Sequence, residues 1–181
     1  KGVKDKNIRA LCGKALMAYT IEAAQKAELF DAIYLSTDSP RYAQLGVEYG
    51  AQCPFLRSAA LATDTASSWD AVREALEGYS ERGQRFDAFM LLQPTSPLRS
   101  AADIRGAWAL MEEKRANAIV SVCEAEHSPL LCNTLPDTLS MDTFLPPAIP
   151  GPRQLLPTYY RLNGAIYLAK TDYFLQENNL Y

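Results

Sequence analysis

The chain has 181 residues, the length of one domain, and a composition ordinary for a globular protein, with 48% hydrophobic and 22% charged residues. Its formal net charge of −3 at pH 7 gives no indication of nucleic acid or a membrane surface as a partner. We find no apolar run of transmembrane length and no signal peptide, and the four cysteines lack C-x-x-C spacing, so we expect a cytoplasmic protein with reduced thiols.

The chain begins with a basic stretch, Lys1 to Arg9, that contains four cations and few apolar residues. Such a cluster is usually a solvated loop. Lysines beside a glycine-containing backbone can also wrap a polyphosphate, because the side chains pair with its charge while backbone N–H groups bond to its oxygens. The stretch alone leaves both interpretations open.

Helix-like and strand-like patterns alternate after this stretch. Apolar residues at helical spacing predict a helix over 15–29, and a buried-type strand follows over 32–37. Pro40 and Gly50 bound a second predicted helix, and 51–56 form another short predicted strand. This order predicts an α/β fold in which helices cover the faces of a parallel sheet.

A polar loop follows the second predicted strand and leads into a helix. Ser67 and Asp70 have the spacing of a capping box, which explains Ser67 without a ligand, and an exposed Arg57 is ordinarily a surface charge. A nucleobase or a ribose can use the same loop amides and hydroxyls. The spacing alone favours the structural role for both residues.

The most distinctive stretch is Phe89 to Arg99, an apolar strand that ends where two prolines bracket Thr95 and Ser96. Neither proline can donate a ladder hydrogen bond, so the chain leaves the strand in a stiff, extended turn. In an open α/β sheet this turn lies at the carboxyl ends of the strands, where ligands bind. We expect Gln93, Thr95, Ser96 and Arg99 to face that crevice and to suit polyhydroxylated or anionic ligands. A proline-stabilised connection without a ligand is the alternative.

In the second half of the chain, the patterns predict a capped helix over 100–114, a strand over 118–123, a strand that is preceded by Asn163-Gly164 within the ordered stretch 161–169, and a short last helix. From Leu130 to Tyr160, six prolines interrupt any regular pattern. A segment this long without regular structure is generally functional, and we expect either an arm laid on a partner subunit or a lid over the crevice. The sole histidine, His127, has no cysteine or paired carboxylates nearby and does not predict a zinc site.

Seven motifs follow one another along the chain. They are Lys-Gly-x-x-x-Lys-Asn at 1–7, Gly-Lys at 13–14, Ser-Thr-Asp-Ser at 36–39, Ser-Ser-x-Asp at 67–70, Leu-Leu-Gln-Pro-Thr-Ser-Pro-Leu-Arg at 91–99, Glu-His-Ser-Pro at 126–129 and Arg-x-Asn-Gly-Ala-Ile-Tyr at 161–167. Together they resemble the bacterial acylneuraminate cytidylyltransferases, the CMP-sialic acid synthetases. The resemblance spans nearly the whole chain, and the motifs at 91–99 and 161–167 are its most specific parts.

The resemblance implies a nucleotidyltransferase with a Rossmann-like, mostly parallel sheet, helices on both faces and an irregular dimerisation arm. It implies a homodimer that uses Mg²⁺ and transfers CMP from CTP to the anomeric hydroxyl of a sialic acid, a nine-carbon 2-keto acid sugar, with release of pyrophosphate. We then expect a single nucleotidyltransferase domain over 1–181, with 130–160 as its dimerisation or lid segment. A cytidylyltransferase for legionaminic or pseudaminic acid and a non-catalytic nucleotide-binding module are the alternatives.

The resemblance also implies roles for individual residues. At CTP it implies Lys1, Lys6, Asn7, Arg57, Ser67 and Ser68, which replaces the structural roles favoured above for Arg57 and Ser67. At the sugar it implies Gln93, Thr95, Ser96, Arg153, Arg161 and Asn163, with Arg153 and Arg161 as candidates for binding the sugar carboxylate. The catalytic candidates are Lys1, Lys6 and Gln93.

Two parts of the family pattern are not found in this sequence. The family has an apolar strand and an Arg-x-Gly-Ser lead-in before its Lys-Gly pair, and it has an Asp-x-Asp motif that binds the metal, which we expect beyond Tyr181. We therefore predict no metal ligands within this chain. Asp38 is a candidate general base on geometry, although capping of a strand end is the other interpretation.

Overall fold

The described part of the chain contains five α-helices and five strands. The structure is a computed structural model, and it describes residues 3–63, 65–145, 156–177 and 180. The strands in these ranges are β1 (Ala10–Leu11), β2 (Lys14–Ala15), β3 (Ala88–Leu91), β4 (Ala118–Glu124) and β5 (Tyr160–Lys170), and the α-helices are α1 (Leu16–Ala27), α2 (Pro40–Glu48), α3 (Ser68–Ser80), α4 (Ala101–Lys114) and α5 (Thr171–Glu177). The arrangement is a mixed α/β fold, which confirms the fold class.

Strand β5 lies between β3 and β4 and runs antiparallel to both. It pairs with β3 from Ala88↔Lys170 to Leu91↔Tyr167. On its other side Lys170 N donates to Asn117 O at 3.0 Å, and Ile166 N donates to the Ser121 hydroxyl at 2.7 Å. The two strands joined by α4 therefore point the same way, but each bonds to β5 rather than to the other.

The predicted mostly parallel sheet is not confirmed. The parallel pairing within the described residues is the single bridge Tyr34↔Gln52, where Leu35 N donates to Gln52 O at 2.9 Å. The predicted strands over 32–37 and 51–56 are extended segments joined at this bridge. Pairing of the second segment stops there because Pro54 has no N–H to donate.

Alternate residues of β5 supply the two faces of the core. Ile166 and Leu168 pack with buried residues of α1 and α4, while Tyr167 and Ala169 pack with Phe174 of α5 and with part of α3. All four β5 side chains are at most 8% exposed. Period-two alternation of this kind is what a strand shows when helices cover it on both sides.

Helix α4 begins where the sequence predicts it. The Ser100 hydroxyl accepts from Asp103 N at 3.2 Å, and the Asp103 carboxylate accepts from Ser100 N at 2.8 Å, which completes a capping box. Hydrogen bonds from the Ser100 N–H and hydroxyl lower the pKa of Asp103. Because this box directly follows the predicted turn, it fixes where the chain leaves that turn.

The chain divides into two compact units, Lys1–Ser121 with Gly164–Tyr181, and Val122–Asn163. The second unit contains the described part of the predicted irregular segment. It holds one 3-10 turn, Pro129–Leu131, and Asn133 Nδ2 donates to Phe144 O at 3.1 Å. Between residues 132 and 145 the described backbone forms turns and bends, and the dimerisation role of this segment stays a prediction.

Candidate functional site

The chain leaves β3 in a tight turn, which we call the Gln93 turn (residues 93–97). Ser96 N donates to Gln93 O at 3.3 Å, and Arg99 N donates to Ser96 O at 3.2 Å. Gln93 and Ser96 are partly buried, whereas Thr95 is exposed. The turn thus lies at the carboxyl end of its strand, as the prolines predict, and it offers an amide and two hydroxyls.

Arg99 does not face a crevice as the sequence predicts. It is 7% exposed, and its guanidinium donates to Gln93 O at 3.2 Å, to Ala165 O at 2.7 Å and to the Thr20 hydroxyl at 2.6 Å. Burial lowers the pKa of Arg99 to about 10, while the nearby Asp103 carboxylate opposes the shift. Arg99 therefore ties the Gln93 turn to α1 and β5, while its Nε, like Arg57 Nε, is buried without a partner within the described residues.

Gly164 sets the space available to the Gln93 side chain. It has a φ of +75°, and a Cβ at this position would lie 2.6 Å from Gln93 Oε1. The backbone conformation favours glycine, and a Cβ here would displace the Gln93 amide. We expected no separate role for Gly164 from the sequence, although an Asn-Gly pair before a strand indicates a positive φ. Glycine here lets the Gln93 amide pack directly against β5.

Arg57 lies beside the end of the extended segment over 33–37. Its backbone N donates to Thr37 O at 2.9 Å, and its Nη2 is 3.6 Å from Asp38 Oδ1. Its Nε is buried without a hydrogen-bond partner in the described part of the chain. The capping interpretation of Asp38 is not confirmed, because the Thr37 hydroxyl accepts from Ser39 N at 3.2 Å and Asp38 pairs with Arg57 instead.

Ser67 and Ser68 lie at the amino end of α3. The Ser67 hydroxyl accepts from Trp69 N at 3.1 Å and caps the helix, while Ser68 is its first residue. Capping uses only one acceptor position of a hydroxyl, so the Ser67 O–H can still donate to a ligand. Ser67 therefore caps the helix, but the predicted capping box with Asp70 is not confirmed, because the bond comes from Trp69 N; the cap is compatible with a binding role.

Lys6 and Asn7 lie in a short 3-10 helix, Lys6–Ile8. Asp5 precedes it in left-handed conformation and accepts from the Tyr42 hydroxyl at 2.8 Å, which ties the basic loop to α2. Burial, and then this hydrogen bond, raise the pKa of Tyr42. Lys6 is exposed, and Asn7 Oδ1 is buried without a partner within the described residues. Lys1 lies outside the described residues.

The remaining predicted sugar residues belong to the second unit. Arg161 and Asn163 are exposed on β5, and Asn163 Nδ2 donates to Val122 O at 3.1 Å. His127 is also exposed in this unit. Arg153 lies outside the described residues.

Only some of the site residues predicted from the sequence contact one another in the structure. Arg57 contacts Asp38, and Gln93 lies against Gly164 and Arg99. Within the described part of the chain, no hydrogen bond or ion pair joins the Lys6, Arg57, Ser67 and Gln93 groups to one another. A cavity of about 1090 Å³ lies at the opposite, amino end of β3, lined by Phe86 and Trp108 among others, and contains none of these residues.

Comparisons with known proteins agree with the motifs. A family model described as cytidylyltransferase matches residues 1–178. A CMP-N,N'-diacetyllegionaminic acid synthase of Legionella pneumophila is 35% identical over 187 residues, covering all of this chain and 78% of the relative. An N-acylneuraminate cytidylyltransferase of Escherichia coli is 34% identical over 182 residues, covering all of this chain and 42% of the relative.

A solved structure shows the same fold. It is a CMP-2-keto-3-deoxy-manno-octonic acid synthetase complexed with CTP, with a TM-score of 0.66 and 18% identity. The match covers 97% of this chain and 72% of that one.

Proposed function

The chain belongs to the cytidylyltransferase family and is a nucleotidyltransferase, and we propose that it transfers CMP from CTP to the anomeric hydroxyl of an N-acylneuraminate, with release of pyrophosphate. The observation that carries this proposal is the 34% identity to an N-acylneuraminate cytidylyltransferase across the whole chain. A second candidate substrate is a legionaminic acid, because a legionaminic acid synthase is 35% identical over the same span.

We assign the nucleotide to residues of the first unit. Lys1 and Lys6 would neutralise the phosphates, Asn7 would bond to them, and Arg57, Ser67 and Ser68 would bind cytidine. One feature supports the placement of Arg57: its Nε, a hydrogen-bond donor, is buried without a protein partner within the described residues. Buried polar atoms are normally hydrogen-bonded, so an unpaired one suggests a missing ligand or water.

We assign the sugar to the Gln93 turn, where Gln93, Thr95 and Ser96 offer donors and acceptors for hydroxyl groups. Arg153 and Arg161 are our candidates for the sugar carboxylate, since a guanidinium can bind a carboxylate through two parallel hydrogen bonds. Asn163, adjacent to Gly164, is a further candidate for a sugar contact.

In the proposed reaction, the protein acts mainly by positioning the two substrates and not by covalent catalysis. The anomeric hydroxyl attacks the α-phosphorus in line and gives up its proton to water, while the bond from that phosphorus to the bridging oxygen breaks and pyrophosphate departs. Lys1 and Lys6 would offset charge on the phosphate oxygens, and Gln93 would orient the sugar. Asp38 pairs with Arg57 at 3.6 Å, so we place it with the nucleotide residues and assign it no proton transfer.

Mg²⁺ stays a proposal from the resemblance. Among the described residues, no three His, Cys, Asp or Glu side chains lie together as a metal site would require. Mg²⁺ commonly keeps water and substrate phosphates as ligands, so we propose that it enters with the nucleotide.

We also propose a cytoplasmic homodimer. All four cysteines, Cys12, Cys53, Cys123 and Cys132, are free, as expected of a reducing compartment. No helix in the described ranges is long and apolar enough to cross a membrane.

Calorimetry with CTP, ATP, GTP and UTP tests the nucleotide assignment. We expect CTP to bind most tightly, whereas equal affinity for all four nucleotides would overturn the cytidine site. Pyrophosphate release that requires the sugar acid as well as CTP would separate an enzyme from a module that binds nucleotide without turnover.

A further inference from the structure

The segment that carries Arg57 lies along one side of α3. We call residues 52–58 the Arg57 segment. The Tyr79 hydroxyl donates to Gln52 Oε1 at 3.2 Å, and a Cβ on Gly78 would lie 2.6 Å from the Phe55 ring. Residues 74 and 78, four apart, share one side of a helix, so α3 presents Glu74 in line with the Gly78 contact.

Glu74 binds the carboxyl end of the Arg57 segment with both of its oxygens. Its Oε1 accepts from Ser58 N at 2.7 Å, and its Oε2 accepts from the Ser58 hydroxyl at 2.5 Å. These are short, charge-assisted bonds, and one of them holds the peptide that directly follows Arg57. Glu77, one turn further along the same helix, is simply exposed and serves as a comparison.

Arg57 is thus fixed through its backbone on both flanks while its side chain keeps an unused donor. On one flank its N donates to Thr37 O at 2.9 Å, and on the other Glu74 holds Ser58. Its Nε is buried and unpaired within the described residues. The same helix starts at Ser67 and Ser68, so Glu74 links the position of Arg57 to that of the serines.

We propose that Glu74 is a positioning residue for nucleotide binding: through Ser58 it sets the distance between Arg57 and the amino end of α3. This inference rests on the proposed function. Glu74 is assigned no contact with a reacting atom, so its loss changes how well the nucleotide is bound and not the rate of transfer once it is bound.

The test measures CTP binding by calorimetry and steady-state kinetics in wild type, Glu74→Ala, Ser58→Ala and the double variant. Glu74→Ala should weaken CTP binding about tenfold, a loss of about 1.4 kcal/mol, in the range of a hydrogen bond to a charged group. Ser58→Ala should lose less, because its N–H remains, and should add little in the double variant because the two residues act through one contact. The kcat at saturating CTP and the KM for the sugar acid should not change.

Glu77→Ala is the matched control and should bind CTP as wild type does. If wild type itself does not bind CTP, that result overturns both the proposed function and this inference. If wild type binds CTP and Glu74→Ala binds equally well, only the positioning role is overturned. A fall in both kcat and the melting temperature would also contradict it, because that result would indicate a general structural role for Glu74. Should Glu74→Ala not fold, unchanged CTP affinity in Ser58→Ala would overturn it.

Discussion

Gln93 is held on both its backbone and its side chain. Its carbonyl accepts from Arg99, and its side-chain oxygen packs against Gly164, where a Cβ would lie 2.6 Å away. The amide can donate to one sugar oxygen and accept from another, which would orient the sugar relative to the α-phosphate. The proposed role of Gln93 therefore depends on the position and hydrogen bonding of its amide, which a nearly isosteric substitution can test.

Gln93→Glu replaces the amide donor with a negative charge beside an anionic sugar and a polyphosphate. We expect a loss of turnover on the order of 10²-fold, because misplaced reactants act on the chemical step. Steady-state kinetics measure it, and thermal melts check that the fold is kept. Gln44→Glu, on the exposed face of α2, is the control and should retain activity. Near-wild-type turnover of Gln93→Glu would place the turn away from the reacting centre.

At this scale the sequence predicted the backbone of the Gln93 turn but not which way each side chain points. Thr95 and Ser96 lie on the Gln93 turn as predicted, because two prolines fix the local backbone. Arg99 comes from the same motif but points inward, where it meets Thr20, a residue 79 positions earlier in the chain. Only tertiary structure brings such a partner close, so no local pattern could have predicted it.

Helix α3 packs against the Arg57 segment and also begins at Ser67 and Ser68. Substitution of Gly78 in α3, with Gly106 in α4 as a comparison, can measure how tightly α3 packs against that segment. A Cβ on Gly78 in α3 would meet the Phe55 ring, whereas a Cβ on Gly106 in α4 would have no neighbouring atom within 4 Å. A Gly→Ala exchange inside a free helix stabilises by about 0.5–1 kcal/mol. A methyl group forced against a ring in a packed site instead costs about 1–3 kcal/mol.

We therefore expect Gly106→Ala to raise the melting temperature and Gly78→Ala to lower it. Thermal melts of both variants beside wild type measure this difference. Gly78→Ala should also weaken CTP binding, because Phe55 belongs to the segment that carries Arg57. A rise in melting temperature for both variants would mean that Phe55 moves aside freely and that α3 does not hold the segment.

Helices were predicted better than strands for a physical reason. The Ser100–Asp103 box and the proline at the start of α2 are local signals, and both helices begin where those residues predict. A strand depends on its partner: β5 fits antiparallel between β3 and β4 after an irregular segment, and nothing within 161–169 specifies that neighbour. The parallel sheet inferred from alternating elements was therefore the part not confirmed.

At the scale of the whole molecule, exposed apolar side chains in the second unit lead us to expect that two copies of the chain associate. Several large apolar side chains there are exposed, among them Leu135 at 51%, Leu139 at 69% and Met141 at 59%. If these side chains form one patch, it is the kind of surface that a partner covers, and a two-fold dimer would use that patch twice. We expect a homodimer at micromolar concentration, measured by sedimentation velocity.

Substitution tests this association directly. Leu135→Glu combined with Met141→Glu should shift the protein toward monomer, because burying two carboxylates at an interface is costly. Val47→Glu, at a position on α2 that is 55% exposed, should leave the sedimentation coefficient unchanged. A monomeric wild type at these concentrations would contradict the prediction that residues 130–160 form a dimerisation arm.

The most direct test of the central claim is pyrophosphate release from CTP with a panel of sugar acids: an N-acylneuraminate, a legionaminic acid and a pseudaminic acid. We predict release only when CTP and a nine-carbon 2-keto acid sugar are both present, fastest with the N-acylneuraminate, together with formation of the CMP-sugar. Release at the same rate without any sugar, or binding of CTP with no release for any member of the panel, would contradict it.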